Sequence, residues 1–320
     1  MKKNLFSMFL VFLAAETFAP AKINIGILRG MEAVPFAFMY SDNLKINSEK
    51  SSGISSENDS ETSPEESELE KNSSSQKYSF TFFSKPFDLF YKMKHGFIDA
   101  AIISSESAEK LAESSGGQVR VMAVVSDIDF KIVSRRKSKV SFSDLIGNKI
   151  YVAGEGFAEH LLVNLLEKNS IPVEEGSAGV EIVLKNSQAE LVSEFVQKKA
   201  DYVLVSEPAV SDIFNRTKNA RVAMELQEQC EAVFGYGRII PGSVLVVRSD
   251  LAENSAKSAQ QLLSDLEYSV QRVSKMPRKA AEIAAENNFG VSKRICAQAI
   301  AGTKYNFYPV KGDFNLIVNQ

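Results

Sequence analysis

The sequence predicts an α/β protein, and three observations carry that reading. Short apolar runs alternate with helical stretches along most of the chain. Several helical stretches follow directly on the loop that ends an apolar run, as at 23–39. The composition, 320 residues with 44% hydrophobic and 24% charged, suits a globular chain with a sizeable core, in two domains or one large one. Strands alternating with helices argue for parallel sheets covered on both faces.

The elements follow in order. Residues 1–21 have the layout of a secretory signal peptide: Lys2 and Lys3, an apolar stretch over 5–15, and Ala19-Pro20-Ala21 at the expected cut. Cleavage after Ala19 or Ala21 is expected, with an uncleaved anchor or a buried strand as the alternative. The apolar stretch is short for a membrane span. No cysteine lies near the cut, so no lipid anchor is expected there. This places the protein in the periplasm or otherwise outside the cytoplasm.

Residues 23–28 read as a strand, followed by the loop Arg29-Gly30-Met31-Glu32 and a helix-like run. Residues 43–77 are rich in serine and glutamate and nearly devoid of apolar residues, so a disordered insert is expected there. Strands are then expected at 78–83, 99–103, 119–125 and 130–133, with a helix at 87–95. The stretch 141–154 reads as cap, helical turn, glycine stop and strand. Helices at 158–168 and 189–199 enclose a strand at 180–184, and strands at 202–205 and 244–247 follow. Three helices, 256–274, 277–287 and 292–301, fill the end, and the last 18 residues are ambiguous.

Several function classes are excluded or disfavoured. The net charge is −3, with no basic run and no zinc-finger or RNA-binding aromatic pattern, so no nucleic-acid partner is expected. His95 and His160 lack metal-ligand spacing, and neither a Gly-x-Ser-x-Gly elbow nor a phosphate P-loop is present. No metal, cofactor or catalytic residue is expected, and the protein is not read as an enzyme. Cys230 and Cys296 either pair or remain two buried thiols.

Three segments carry a family resemblance. "FDLFYKMKHGFIDAAIISSESAEKL", 87–111, resembles the helix, Gly-x-x-Asp-x-Ala and strand of ABC-transporter solute-binding proteins. "SFSDLIGNKIYVAGEGFAEHLLVNLLEKNSI", 141–171, and "LVSEFVQKKADYVLVSEP", 191–208, resemble two later blocks of the same family. The nearest group captures nitrate, sulfonates, taurine and thiamine-pyrimidine precursors. The resemblance implies a type II periplasmic-binding fold, two α/β lobes joined by two crossover strands. It divides the chain into a signal peptide (1–21), lobe one (22–126, with the insert at 43–77), lobe two with its hinges (127–243), and a return to lobe one (244–320). It also implies a monomeric receptor that holds a small solute between the lobes and passes it to a membrane permease. The alternatives are an enzyme on the same fold and a surface interaction protein that uses the acidic insert.

The resemblance places four loops and two crossings at the cleft. They are Arg29, Gly30, Met31 and Glu32; Ser104, Ser105 and Glu106; Gly154, Glu155, Gly156 and Phe157; Glu207 and Pro208; Asp129 and Phe130; and Arg238, with Tyr236 beside it. Each has a plain alternative: a βα turn, a helix cap, or, for Phe130, a buried core ring. Four of the loops contain a glutamate, at 32, 106, 155 and 207. Carboxylates repel a buried anion, so an amino-bearing or pyrimidine-like ligand is expected ahead of sulfonate or nitrate. Glutamates that merely favour a helix start and point to water are the alternative.

Overall fold

The computed structural model describes residues 22–52, 77–136, 138–176, 178–235 and 240–310. The expected signal peptide, 1–21, lies outside the described residues. Strand β1 (Ile23–Leu28) sets the frame: Ile23, Ile25 and Ile27 are buried on one face. Gly26 on the other face admits helix α2 (Pro86–Lys94), for a methyl group at Gly26 would lie 2.4 Å from Leu89 Cδ1. Asp99 Oδ2 accepts both the backbone and side-chain N–H of Asn24, at 2.8 and 3.0 Å, and fixes the start of the strand.

A first sheet runs β11-β4-β10-β3-β1-β2. Its strands are β2 (Tyr78–Phe83), β3 (Ala100–Ser104), β4 (Val119–Asp127), β10 (Pro241–Arg248) and β11 (Tyr305–Pro309), with β1. A second sheet runs β7-β6-β8-β5-β9. It is built from β5 (Lys131–Ser134), β6 (Lys149–Ala153), β7 (Glu181–Lys185), β8 (Tyr202–Val205) and β9 (Arg221–Glu225). Each sheet is packed on both faces. Phe36, Leu266 and Phe289 belong to the core on one face of the first sheet, Leu89, Met93 and Leu111 to that on the other. In the second sheet the two cores contain Leu161, Leu165 and Cys230 on one side, Leu191, Phe195 and Ile213 on the other.

The sheets are mixed rather than parallel, which corrects the sequence expectation. β10 runs antiparallel to β3 and β4, β11 to β4, and β5 to β8 and β9. The reason is topological. A strand that enters a sheet from the other half arrives at the edge where the parallel strands end, and so runs against them. The chain makes this passage at Ile128–Phe130, where the Ile128 N–H donates to the Ile240 carbonyl at 2.9 Å, just ahead of β10.

The insert expected at 43–77 differs at its start. A 3-10 turn (Met31–Phe36) leads into helix α1 (Ala37–Ser52), which covers the first ten residues of that stretch. Lack of apolar residues argues against burial, but a helix already nucleated on buried Ala37, Phe38 and Met39 gains a hydrogen bond for each residue added. Arg272 pairs with Asp42 on this helix at 2.5 Å. Residues 53–76 lie outside the described residues. The remaining helices are α3 (Ser105–Ser114), α4 (Phe157–Lys168), α5 (Gln188–Val196), α6 (Ala209–Arg216), α7 (Leu226–Phe234), α8 (Ser249–Asn254), α9 (Ala256–Lys275), α10 (Pro277–Glu286) and α11 (Lys293–Gly302). Of these α6, α7 and α8, with strand β9, were not expected from the sequence. Cys230 and Cys296 are both free and buried, on α7 and α11; burial pushes their thiols up to about 12 and about 11.

Candidate ligand cleft

The parallel strands β1, β3 and β8 end at the gap between the two sheets, while β5 and β10 begin there. Loops from both halves therefore meet around one cavity of about 340 Å³. Met31, Glu32, Ser104, Ser105, Glu106 and Tyr305 line it from the first half. Phe157, Gln188, Ser206, Glu207 and Pro208 line it from the second. The first crossing contributes Ile128, Asp129 and Phe130 between them, and Thr303 stands close by.

Local chemistry explains how the walls are held. Gly30 adopts φ 143°, a conformation for glycine, and its N–H donates to the Phe289 carbonyl at 2.8 Å. This turns Met31 and Glu32 into the cavity. Ser104 caps α3 by accepting the Ser107 N–H at 3.2 Å, and Ser105 Oγ donates to the Pro241 carbonyl at 2.7 Å. Capping and cleft lining are thus both true of this loop. Gln188 and Ser206 bond reciprocally: the Gln188 amide donates to Ser206 Oγ at 2.8 Å, and Gln188 Oε1 accepts the Ser206 N–H at 3.2 Å.

The electrostatics are one-sided. Glu32, Glu106, Asp127, Asp129 and Glu207 all line the cavity, and among the described residues no lysine, arginine or histidine does. Burial pushes the Glu32 carboxyl above its ordinary value, and the nearby Asp129 charge adds to this. Among the described residues nothing donates a hydrogen bond to the Glu32 carboxylate. Asp129 is raised by burial too, against the opposing pull of Lys131; its Oδ2 accepts the Glu207 N–H at 2.9 Å. Burial likewise raises Glu207, whose Oε2 accepts the Ser211 N–H at 3.1 Å. Asp127 is raised by burial despite the Asn306 amide at 3.1 Å. Glu106 differs, being paired with Lys110 at 2.6 Å.

Lys131 is buried behind this wall, its Nζ donating to the carbonyls of Gly302 at 3.1 Å and Asp129 at 3.3 Å. The Tyr305 hydroxyl donates to the Met31 carbonyl at 2.9 Å; burial, then the charge of Asp129, holds it as a neutral phenol. Phe130 and Phe157 form the apolar part of the wall, their ring centroids 6.1 Å apart. Two further contacts cross the gap. A methyl group at Gly302 would lie 2.3 Å from Glu207 Oε1, and one at Gly156 would lie 3.6 Å from Glu106 Oε1.

Not every expected residue reaches the cavity. Arg29 turns away: its Nε donates to the Asn288 carbonyl at 3.1 Å and its Nη1 to Ser84 Oγ at 2.8 Å, with the guanidinium over the Phe82 ring. Gly30, Gly154 and Gly156 shape loops without lining the cavity, and Glu155 is exposed. Arg238 and Tyr236 lie outside the described residues. Sequence reasoning missed Ser126, Gln188, Thr303 and Tyr305, and placed Asp127, Gly242 and Ser243 only in the hinges. Thr303 and Tyr305 had no local signal, for β11 is brought to the cleft only by its pairing with β4.

This architecture is shared with solved structures. The chain aligns with the periplasmic aliphatic sulphonate binding protein SsuA of Escherichia coli at a TM-score of 0.64 and 15% identity, over 92% of this chain and 82% of that one. An ABC transporter protein of Parabacteroides distasonis aligns at 0.62 and 14%, over 90% and 86%. The alkanesulfonate-binding protein SsuA of Xanthomonas axonopodis pv. citri, bound to MOPS, aligns at 0.54 and 15%, over 91% and 88%. The chain has the type II periplasmic-binding fold. No family model and no curated protein matches it. In this fold ligands lie outside the ends of the parallel strands, where the carboxylate-lined cavity is found here.

Proposed function

We propose that this protein is a solute-binding receptor of an ABC importer, working outside the cytoplasm as a monomer and delivering a small organic solute to a membrane permease. The halves 22–126 with 244–320, and 127–243, act as lobes that close on the ligand about the two crossings. The role is capture without turnover.

One observation carries the ligand reading: among the described residues, five carboxylates and no cationic side chain line the cavity. A buried sulfonate or nitrate needs positive charge as well as donors, and the described lining offers hydroxyls but no cation. An amino-bearing solute, including a pyrimidine-like one, finds acceptors at Glu32 and Asp129 and apolar ring faces at Phe130 and Phe157, tilted 49° to each other. The sulfonates named for the aligned proteins therefore do not transfer to this chain.

A thermal-shift screen tests this. The panel holds taurine, benzenesulfonate, nitrate, thiamine, an aminopyrimidine, benzylamine and benzamidine. A ligand at about 100 times its Kd adds about 2.7 kcal/mol, which moves the melting point by several degrees. A shift with the amines supports both role and ligand class. A shift with the anions alone keeps the receptor and removes the ligand class. Consumption of a bound compound during incubation would indicate an enzyme instead.

A further inference from the structure

Glu32, Asp129 and Glu207 reach one cavity from three different elements: the turn after β1, the crossing before β5 and the loop after β8. Asp129 interacts electrostatically with both of the others, and its Oδ2 accepts the Glu207 N–H. Among the described residues their surroundings supply little compensation. Lys131 is the cation that faces Asp129 and Glu207, and its Nζ is bonded to carbonyls. Lys110 is engaged by Glu106, and Lys304 lies between Asp127 and Glu225. Glu231 adds negative charge near Asp127, while Tyr305 and, behind it, Cys296 are neutral. Glu32 itself is deeply set and has no donor among the described residues.

We propose, building on the receptor reading, that the cleft takes up its ligand as a cation in exchange for protons shared among Glu32, Asp129 and Glu207, so that it loads near neutral pH and unloads in acid. Three half-buried carboxyls around one cavity do not all ionise when it is empty, because like charges there repel and water screens them less than in bulk. They titrate as a group rather than singly. An arriving ammonium or amidinium replaces the missing positive charge. The exchange balances: the cation binds, a carboxyl O–H bond breaks, and the proton leaves to solvent. Each proton displaced makes Kd fall about tenfold per pH unit until the carboxyls are ionised without ligand.

Calorimetry on the purified protein tests this with benzamidine, whose charge is constant over the range, and benzenesulfonate as an anion of similar shape. Titrations near pH 6 in two buffers of different ionisation heat count the protons released. The expected result is release of roughly one proton and a Kd about tenfold lower at pH 6 than at pH 5. Glu32→Gln should weaken binding and flatten that dependence. Benzamidine binding with no dependence on pH or buffer overturns the exchange and leaves the receptor intact. Binding of benzenesulfonate but not benzamidine does the same. Silence across the whole screening panel removes the receptor reading and this proposal with it.

Discussion

The loops at 29–32 and 154–157 share one sequence pattern and end in different places. Each follows a strand that ends a parallel run, each contains a glycine at positive φ and a glutamate, and each enters a helical segment. Glu32 goes into the cavity and Glu155 goes to solvent. The difference lies in the anchor. Gly30 is tied through its N–H to Phe289, a residue far along the chain that packs on the first sheet, so the loop folds inward over the core. Gly154 is tied to Lys185, at the end of the neighbouring strand β7, so the loop stays at the sheet edge. A loop's local pattern sets its shape; the partner that pins it sets the direction of its side chains.

The largest expected effect comes from exchanging the two glutamates for glutamine. Glu32→Gln should weaken amine binding by about 100-fold, the loss of a charged acceptor in a desolvated site. Glu155→Gln should leave it unchanged. Isothermal titration of both variants checks this, and equal losses would erase the distinction between the loops.

Next in size is the anchor itself. Gly30→Ala forces a side chain into a backbone conformation that costs about 1–3 kcal/mol, and it should misplace Glu32. Gly154→Ala, at φ 70°, should cost about 1–2 kcal/mol and leave binding intact. Urea denaturation alongside a binding curve separates the two outcomes.

The smallest effect is on the stability of the empty protein. Glu32, Asp127, Asp129 and Glu207 hold protons in the folded state that the unfolded chain has already released. Unfolding therefore releases protons, and stability falls as pH rises from the ordinary carboxylate range through the raised folded values. The empty protein should melt higher near pH 5 than near pH 7. Glu32→Gln should raise the melting point at neutral pH by a few degrees, and Glu155→Gln should not. Melting curves across that range decide it.

Much of the fold was legible because it is local. The apolar runs at 23–28 and 202–205 coincide with β1 and β8, since a strand buried on both faces writes itself as a short apolar block, and the alternating aromatic run at 78–83 coincides with the edge strand β2. Strand direction was not legible, because nothing within 131–134 or 241–248 records that the chain has just crossed from the other half. Helix α1 hid inside a polar stretch for the converse reason: its start is packed on Ala37, Phe38 and Met39, and its later residues are mostly polar in sequence. At the cleft, Glu32, Ser104, Asp129, Phe130 and Glu207 could be placed because they follow strand ends or sit at the crossing. Gln188 and Tyr305 could not, since their place depends on pairings with Ser206 and with β4.

The sequence contains no tryptophan, and Phe130 and Phe157 sit on the cleft side of the second half. The protein is therefore dark where most proteins glow. A single indole introduced at Phe157 would report from the cleft alone, against a background of tyrosines, and its colour would record the moment the wall beside Glu106 changes from wet to dry.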